Sequence, residues 1–313
     1  MMVKKTKDHM LFDSRAPAKV TKMGNIIDLV VCDTISKEPS CKKVSKDNYV
    51  NTKTGEIFDY KHILNRSQCY ESIRKTMRKI RELINSNVTN IYHVRWITLT
   101  YKENMTDREQ LYKDYDKFWK RFTYNLKLNG IEKPEYITVV EPQGRGAWHI
   151  HGLFIWNETA PFVANDVLAQ IWSHGFVSIK QPKDCDNLGA YFTAYLANVT
   201  VEDIDRLTEK EKAKAFAAAS MAGDINPVQV TTVDGKSKSV IKGARLAMYP
   251  PGMNIFRHSK GVKKPEGIRT TYAKAVEILA ESKETYTQSF EIVDENGNCR
   301  NRILKASYNS KRK

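Results

Sequence analysis

The chain has little cysteine, no Cys-x-x-Cys pair and no long apolar run, and each absence narrows what its 313 residues can be. The five cysteines, Cys32, Cys41, Cys69, Cys185 and Cys299, are odd in number and scattered. They supply neither a disulfide framework nor a zinc knuckle and are expected to be reduced thiols without a catalytic part. The longest apolar stretches, such as Ile26 to Cys32, fall far short of the roughly 20 residues a spanning helix needs. The lysine-rich start lacks the apolar segment of a secretory signal, so a cytoplasmic protein with no membrane partner is expected. No Gly-x-x-x-x-Gly-Lys-Ser/Thr loop occurs, so there is no visible ATP-driven motor. What the chain does have is positive charge. Lys+Arg number 51 against 36 Asp+Glu, a net charge of +15, which favours polyanions and makes nucleic acid the first partner to consider.

Periodicity divides the chain. Residues 1–20 read as a mobile basic arm. Apolar residues from Ile26 to Val31 and Glu56 to Tyr60 look like strands separated by turns. From Ser67 the spacing turns helical, with Ile73, Met77, Ile80 and Ile84 on one stripe and Arg74, Lys75, Arg78 and Lys79 away from it. That basic side is either a solvated face or a DNA track. Tyr92 to Tyr101 reads as a core strand. Thr106-Asp-Arg-Glu109 reads as a capping box opening a helix whose buried stripe is Leu111, Tyr115, Phe118, Trp119, Phe122 and Leu126, ending at Asn129-Gly130. Strands at about 135–141 and 147–156, a helix near 163–172, a strand at about 175–180 and a helix with Tyr191 and Tyr195 follow. This β-α-β-β-α-β order, in an α+β chain, is that of a ferredoxin-like split core. Val201 to Ala222 reads as helix, residues 223–243 as an exposed excursion, and Arg257 to Lys264 as a basic loop. Thr271 to Ser282 reads as helix, and Asn296-Gly297 as a type I′ hairpin turn before the basic tail. The expected domains are the arm 1–20, a central domain 21–265 with an inserted helical segment at about 200–245, and a C-terminal helix and hairpin over 266–313.

His149-Ile-His151 is the most informative stretch. Alternation on a strand turns both imidazoles to one face. With a three-residue loop at Gly144-Arg145-Gly146, paired residue numbers sum to 290, so Glu141 lies opposite His149 with His151 diagonal to it. Two imidazoles and a carboxylate leave open coordination positions and suit a divalent cation such as Mn²⁺ or Mg²⁺. Tyr191 and Tyr195, at i and i+4, sit at the edge of the apolar stripe Leu188, Phe192, Leu196 and Val199. A tyrosine hydroxyl, with an ordinary pKa of about 10, is a poor nucleophile unless its target phosphate is already polarised. The two motifs are chemically complementary, and phosphoryl transfer through tyrosine is the expected chemistry.

Three motifs now stand in one order: Trp96-Ile-Thr-Leu-Thr100, Trp148-His-Ile-His-Gly152 and Tyr191-Phe-Thr-Ala-Tyr195. Together they resemble those of the HUH endonucleases, in particular the replication initiator (Rep) proteins of rolling-circle plasmids and single-stranded DNA phages. The resemblance spans roughly residues 60 to 265 and includes Tyr249-Pro-Pro-Gly252 and Ser259-Lys-Gly261. It implies a five-stranded antiparallel sheet flanked by helices, and metal-dependent nicking and rejoining of single-stranded or hairpin origin DNA through a 5′-phosphotyrosine. Glu141, His149 and His151 would be the metal ligands and Tyr191 and Tyr195 the nucleophiles. DNA contacts are expected of Arg74, Arg78, Arg145, His258, Lys260 and Lys263. A host helicase and polymerase would be partners. Many third motifs of this kind carry a lysine three residues after the nucleophile, where this chain has Ala194 and Asn198. That leaves open which tyrosine attacks first and what supplies positive charge, with Lys260 or Lys263 as candidates. A two-tyrosine transposase or relaxase, and a non-catalytic nucleic-acid-binding regulator, are the competing readings.

Overall fold

A computed structural model describes residues 2–6, 10–35, 40–60, 70–143, 147–183, 186–222, 225–231, 237–250 and 253–312. The chain divides into two compact units, one of Met1–Leu64 and Pro265–Lys313, the other of Asn65–Lys264. The first unit opens with β1 (Met2–Thr6), β2 (Pro17–Met23), β3 (Ile26–Cys32), β4 (Cys41–Lys43), β5 (Asn48–Asn51) and β6 (Ile57–Asp59). The lysine-rich start, read from sequence as an arm, therefore supplies β1 and the opening of β2. No described helix is long and apolar enough to cross a membrane.

The second unit is built on α1 (Tyr70–Asn87), β7 (Val94–Thr100), α2 (Arg108–Leu128), β8 (Glu135–Pro142), β9 (Trp148–Ile155), α3 (Asn165–Trp172), β10 (Val177–Lys180) and α4 (Leu188–Ala197). It continues with β11 (Val199–Thr200), α5 (Val201–Asp205), α6 (Glu209–Ala222), β12 (Val228–Thr231), β13 (Ser237–Ile241) and β14 (Phe256–His258). Its main sheet has five strands in the order β10-β7-β9-β8-β14, every pair antiparallel. The strands β7 and β8, joined through α2, have β9 between them, so the expected β-α-β-β-α-β order is followed. Alternation gives the sheet two apolar faces. Val94, Trp96, Ile137, Val139, Leu153 and Ile155 face α1 and α4. Ile97, Leu99, Val140, Ile150 and Phe154 face α2 and α3.

The chain then returns to the first unit with β15 (Glu266–Thr271), α7 (Tyr272–Leu279), β16 (Lys283–Val293) and β17 (Cys299–Asn309). These complete a six-stranded antiparallel sheet, β1-β16-β17-β3-β2-β15, beside a small sheet β4-β5-β6. Val20, Leu29, Val31, Leu304 and Ala306 pack on one face with Ala275 and Leu279 of α7. The protein is thus of mixed α+β class with antiparallel sheets, but it does not rest on one five-stranded sheet as expected.

The helix expected over Val201–Ala222 is two helices, because Thr208 and Glu211 form a capping box. Thr208 N–H donates to Glu211 Oε2 (2.9 Å) and Glu211 N–H to Thr208 Oγ1 (3.4 Å). The helix α2 starts on Asp107, not Thr106, since that carboxylate accepts from both Glu109 N–H (2.8 Å) and Gln110 N–H (3.2 Å). Residues 223–243 are not simply an exposed excursion: β12 and β13 pair there, and Val240 and Ile241 are buried. The basic loop begins as the edge strand β14, paired to β8. At Asn296-Gly297 only the glycine has positive φ (83°), which excludes a type I′ turn. Gly297 N–H donates to Asp294 O at 3.1 Å and Asp294 N–H to Asn298 O at 3.0 Å, a three-residue loop with its left-handed position at glycine.

Candidate metal centre and tyrosine helix

The β8–β9 hairpin has the register read from its loop length. Glu141 pairs with His149 and Pro142 with Trp148, and Gln143 N–H closes the ladder on Ala147 O at 2.9 Å. Arg145 and its glycines lie outside the described residues. Glu141, His149 and His151 share the face that α1 and α4 cover, and their ligand atoms all lie within 4.8 Å of one another. Glu141 and His151 are each 2% exposed. His151 Nε2 lies 2.5 Å from Glu141 Oε2, and His149 Nδ1 lies 4.0 Å from the same oxygen. Neighbouring side chains orient both rings. Thr98 Oγ1 lies 3.1 Å from His151 Nδ1, and the Trp96 indole N–H donates to it at 3.4 Å. Gln143 Nε2 lies 2.8 Å from His149 Nδ1. Holding His151 at Nδ1 aims its Nε2 at Glu141, which is how ligating histidines are usually set, whereas His149 is held at the same Nδ1 that faces Glu141.

Burial pushes the Glu141 carboxyl up, but the His151 hydrogen bond and the charges of His151, Arg245 and His149 outweigh it and hold the group below its ordinary value. A buried, ionised carboxylate beside two imidazole nitrogens is the donor set of a divalent-cation site.

Arg245 escaped the sequence reading. It sits in a 3-10 turn, Ala244–Met248, entered through Gly243 at φ 74°. Its guanidinium bonds Glu141 Oε1 and donates to Asn198 O (3.1 Å) and Pro142 O (3.4 Å). No periodicity or motif marks this residue, and its acidic partner is 104 positions away. Lys260 and Lys263 do not reach this end of the sheet. Gly261 N–H bonds Glu135, six residues and roughly 20 Å along β8 from Glu141 at the usual strand rise.

The two tyrosines are not equivalent. On α4, Leu188, Phe192 and Leu196 are buried, Tyr191 is half-buried and Tyr195 is 47% exposed. The Trp96 ring lies under this helix, with centroids 6.0 Å from Tyr191 and 5.7 Å from Tyr195. Tyr195 also stands against a member of the metal cluster, 5.3 Å from the His151 ring and nearly perpendicular to it. Burial, then the negative charge of Glu141, pushes its hydroxyl up to about 12.

A polar clamp fixes where α4 begins. Asn187 caps it by accepting from Ala190 N–H (2.8 Å). Asn85 of α1, 4% exposed, donates to Asn187 Oδ1 (2.9 Å) and accepts from Gly189 N–H (2.9 Å). A Cβ at position 189 would stand 2.5 Å from Arg81 O and 2.6 Å from Asn85 Oδ1. Gly189→Ala is therefore expected to cost about 1–3 kcal/mol by forcing the two helices apart. A thermal melt would register it, and an unchanged midpoint would contradict this close approach.

Of the expected DNA contacts, Arg74 and Arg78 lie on the exposed side of α1, where Arg78 pairs with Glu82 at 2.8 Å. His258 is on β14 with Nδ1 2.9 Å from Ser259 O. Lys260 and Lys263 are exposed, and the Lys263 backbone is held by Asn87 at the end of α1. They border the five-stranded sheet at the end away from Glu141.

Residues 94–200, which hold all three motifs, match the family model for the replication-associated protein ORF2. The resemblance to rolling-circle Rep proteins is borne out over that stretch, about a third of the chain, and the Glu/His/His cluster is consistent with an HUH motif. No curated protein and no solved structure matches the chain.

Proposed function

We propose that the second unit is a ferredoxin-like HUH nuclease that initiates rolling-circle replication by nicking single-stranded origin DNA. The observation that carries this reading is the Tyr195 ring standing against His151 of the Glu141–His149–His151 cluster, inside the segment that matches a replication-associated family. A divalent cation held by these three side chains would polarise the scissile phosphodiester. Tyr195 Oη attacks the phosphorus, the bond to the 3′-oxygen breaks, and the phenolic proton ends on the released 3′-hydroxyl. One phosphodiester replaces another, so its free energy is conserved and a later 3′-hydroxyl can reverse the step. Tyr191, one turn earlier on the same helix, is the second nucleophile that would take over at the end of a round. With no ATPase loop in the sequence, strand separation falls to a host helicase. The test is incubation of a labelled single-stranded origin oligonucleotide with the protein and Mn²⁺. A covalent protein–DNA band on a denaturing gel is expected, and its absence across origin sequences would defeat the proposal.

Arg245 fills the place of the lysine missing from the third motif. Its guanidinium is already at the cluster, fixed by the Asn198 and Pro142 carbonyls, and it would meet the charge growing on phosphate oxygens. Removal of such a donor costs about 10²–10³ in rate. Arg245→Ala should therefore nick about a hundredfold more slowly while its Mn²⁺ affinity, read by titration calorimetry, holds or rises because Glu141 loses a competitor. A rate within about twofold of wild type would remove Arg245 from the chemistry.

A further inference from the structure

The six-stranded sheet of the first unit carries the helix α7 and its apolar cluster on one face. Strand register assigns the residues of the other. Arg269 stands opposite Lys19, Lys19 opposite Val30, and Val30 opposite Lys305, one row across β15, β2, β3 and β17. At four strands and about 4.8 Å between neighbours the row is roughly 14 Å long. Lys19, Arg269 and Lys305 are exposed and Val30 is half-buried. Lys5 joins the same face opposite Phe290. Charge is sorted between the two sides. By the same alternation Glu266, Glu284 and Glu291 fall on the covered side with Lys22, Tyr308 and Arg302. The acid that the sheet presents with the basic row is Asp28, which accepts from Ser307 Oγ at 2.6 Å.

Aromatic rings stand at the β16 end of the row. The Lys305 ammonium lies 5.0 Å from the Phe290 ring centroid. Tyr286, 55% exposed, pairs with Ser307 on that face. Scattered lysines are ordinary on a sheet surface, but a row of cations flanked by the exposed Tyr286 ring and the half-buried Phe290 ring, with all of these acids but Asp28 turned to the other side, matches a specific chemistry. Cations track phosphates, and the rings stack on unpaired bases. Duplex DNA offers only the first of these, since its bases already stack on each other.

We propose that this face is a second nucleic-acid site that binds single-stranded DNA, distinct from the metal cluster. It holds a single strand by backbone charge and by stacking on Phe290 and Tyr286, without reading base edges. The inference does not depend on the nicking reading, because it concerns the other unit and needs no metal.

The test uses the full chain, EDTA, and anisotropy of a labelled oligothymidylate of about 20 nucleotides. Lys19→Glu/Arg269→Glu/Lys305→Glu is compared with a charge-matched control on the small sheet, Lys42→Glu/Lys43→Glu/Lys46→Glu, whose three side chains are also exposed. The face variant should lose at least about tenfold in affinity, and its log–log salt slope should fall by about 2, the value for three lost phosphate contacts on a single strand. Tyr286→Ala/Phe290→Ala should lose roughly tenfold with the slope unchanged, and keeps the test open if the triple variant folds poorly. The assay reads binding in EDTA, where no metal-dependent cleavage takes place, so failure of the nuclease reading and of this one are separable. Equal losses in face and control variants, wild-type affinity in both face variants, or equal competition by duplex would each overturn the proposal.

Discussion

Tyr195→Phe should abolish the covalent adduct and lower origin cleavage by about 10³-fold or more, as expected when the attacking group itself is removed. Tyr191→Phe should leave the first cleavage within about tenfold of wild type, because the ring seen against His151 is that of Tyr195. The expected asymmetry rests on position: both phenols are on one face of α4, and it is the Tyr195 ring that stands against His151. The adduct, isolated after protease digestion, should therefore map to Tyr195 in a single-turnover reaction. An adduct on Tyr191 alone would reverse the order. Titration supplies a second reading. With its hydroxyl raised to about 12, Tyr195 remains a neutral phenol through the whole working pH range, and in metal-free protein its phenolate absorbance should appear only near that value. The sign for stability follows from proton counting. Between the ordinary value of about 10 and about 12 the folded state holds a proton that the unfolded state has lost, so this group's contribution falls as pH rises through that window.

The other large effect is loss of metal. Glu141→Gln keeps the shape of the side chain and removes its charge, and should weaken Mn²⁺ binding by more than about a hundredfold, with cleavage falling in parallel. Calorimetry or manganese electron paramagnetic resonance reads the binding directly, apart from activity. Glu141→Ala is a harsher change. It leaves the Arg245 guanidinium, whose side chain is only 13% exposed, without its carboxylate, which typically costs about 3–5 kcal/mol when a buried pair is broken. The alanine protein should thus melt well below the glutamine one. Adding EDTA to wild type should stop cleavage and leave the fold intact, since Arg245 and His151 already satisfy the carboxylate. A Glu141→Gln protein that bound Mn²⁺ and cleaved like wild type would remove Glu141 from the ligand set.

Much of the centre was legible because its information is local. The spacing of Glu141, His149 and His151 follows from one hairpin loop, and period-2 alternation does the rest, which is why pairs summing to 290 hold along the whole of β8 and β9. The stripe of α2 was nearly as legible, since Leu111, Tyr115, Phe118, Phe122 and Leu126 recur at helical spacing and are buried, while Trp119, expected with them, is half-buried. What stayed hidden depends on contacts distant in sequence. Arg245 has no pattern of its own, and only the folded turn after β13 carries it to Glu141. β17 pairs with β3 across about 270 residues, as in Leu304 against Val31, and nothing in either segment names its partner. The break at Thr208 stays hidden for a different reason: an alanine- and lysine-rich stretch reads as one helix by propensity, and a four-residue capping box overrides it.

The first unit is assembled from both ends of the chain, with Asn65–Lys264 inserted between its halves, and β17 lies between β16 and β3 in the middle of its sheet. On the ribosome, β2 and β3 emerge early but wait for the last strand, while the inserted unit has its complete five-stranded sheet as soon as β14 is made. The order of synthesis therefore favours a folded second unit ahead of its companion sheet, since domains fold as units and distant pairings close slowly. A stop codon shortly before Cys299 would spare every element of the metal centre, yet would split the larger sheet down its centre.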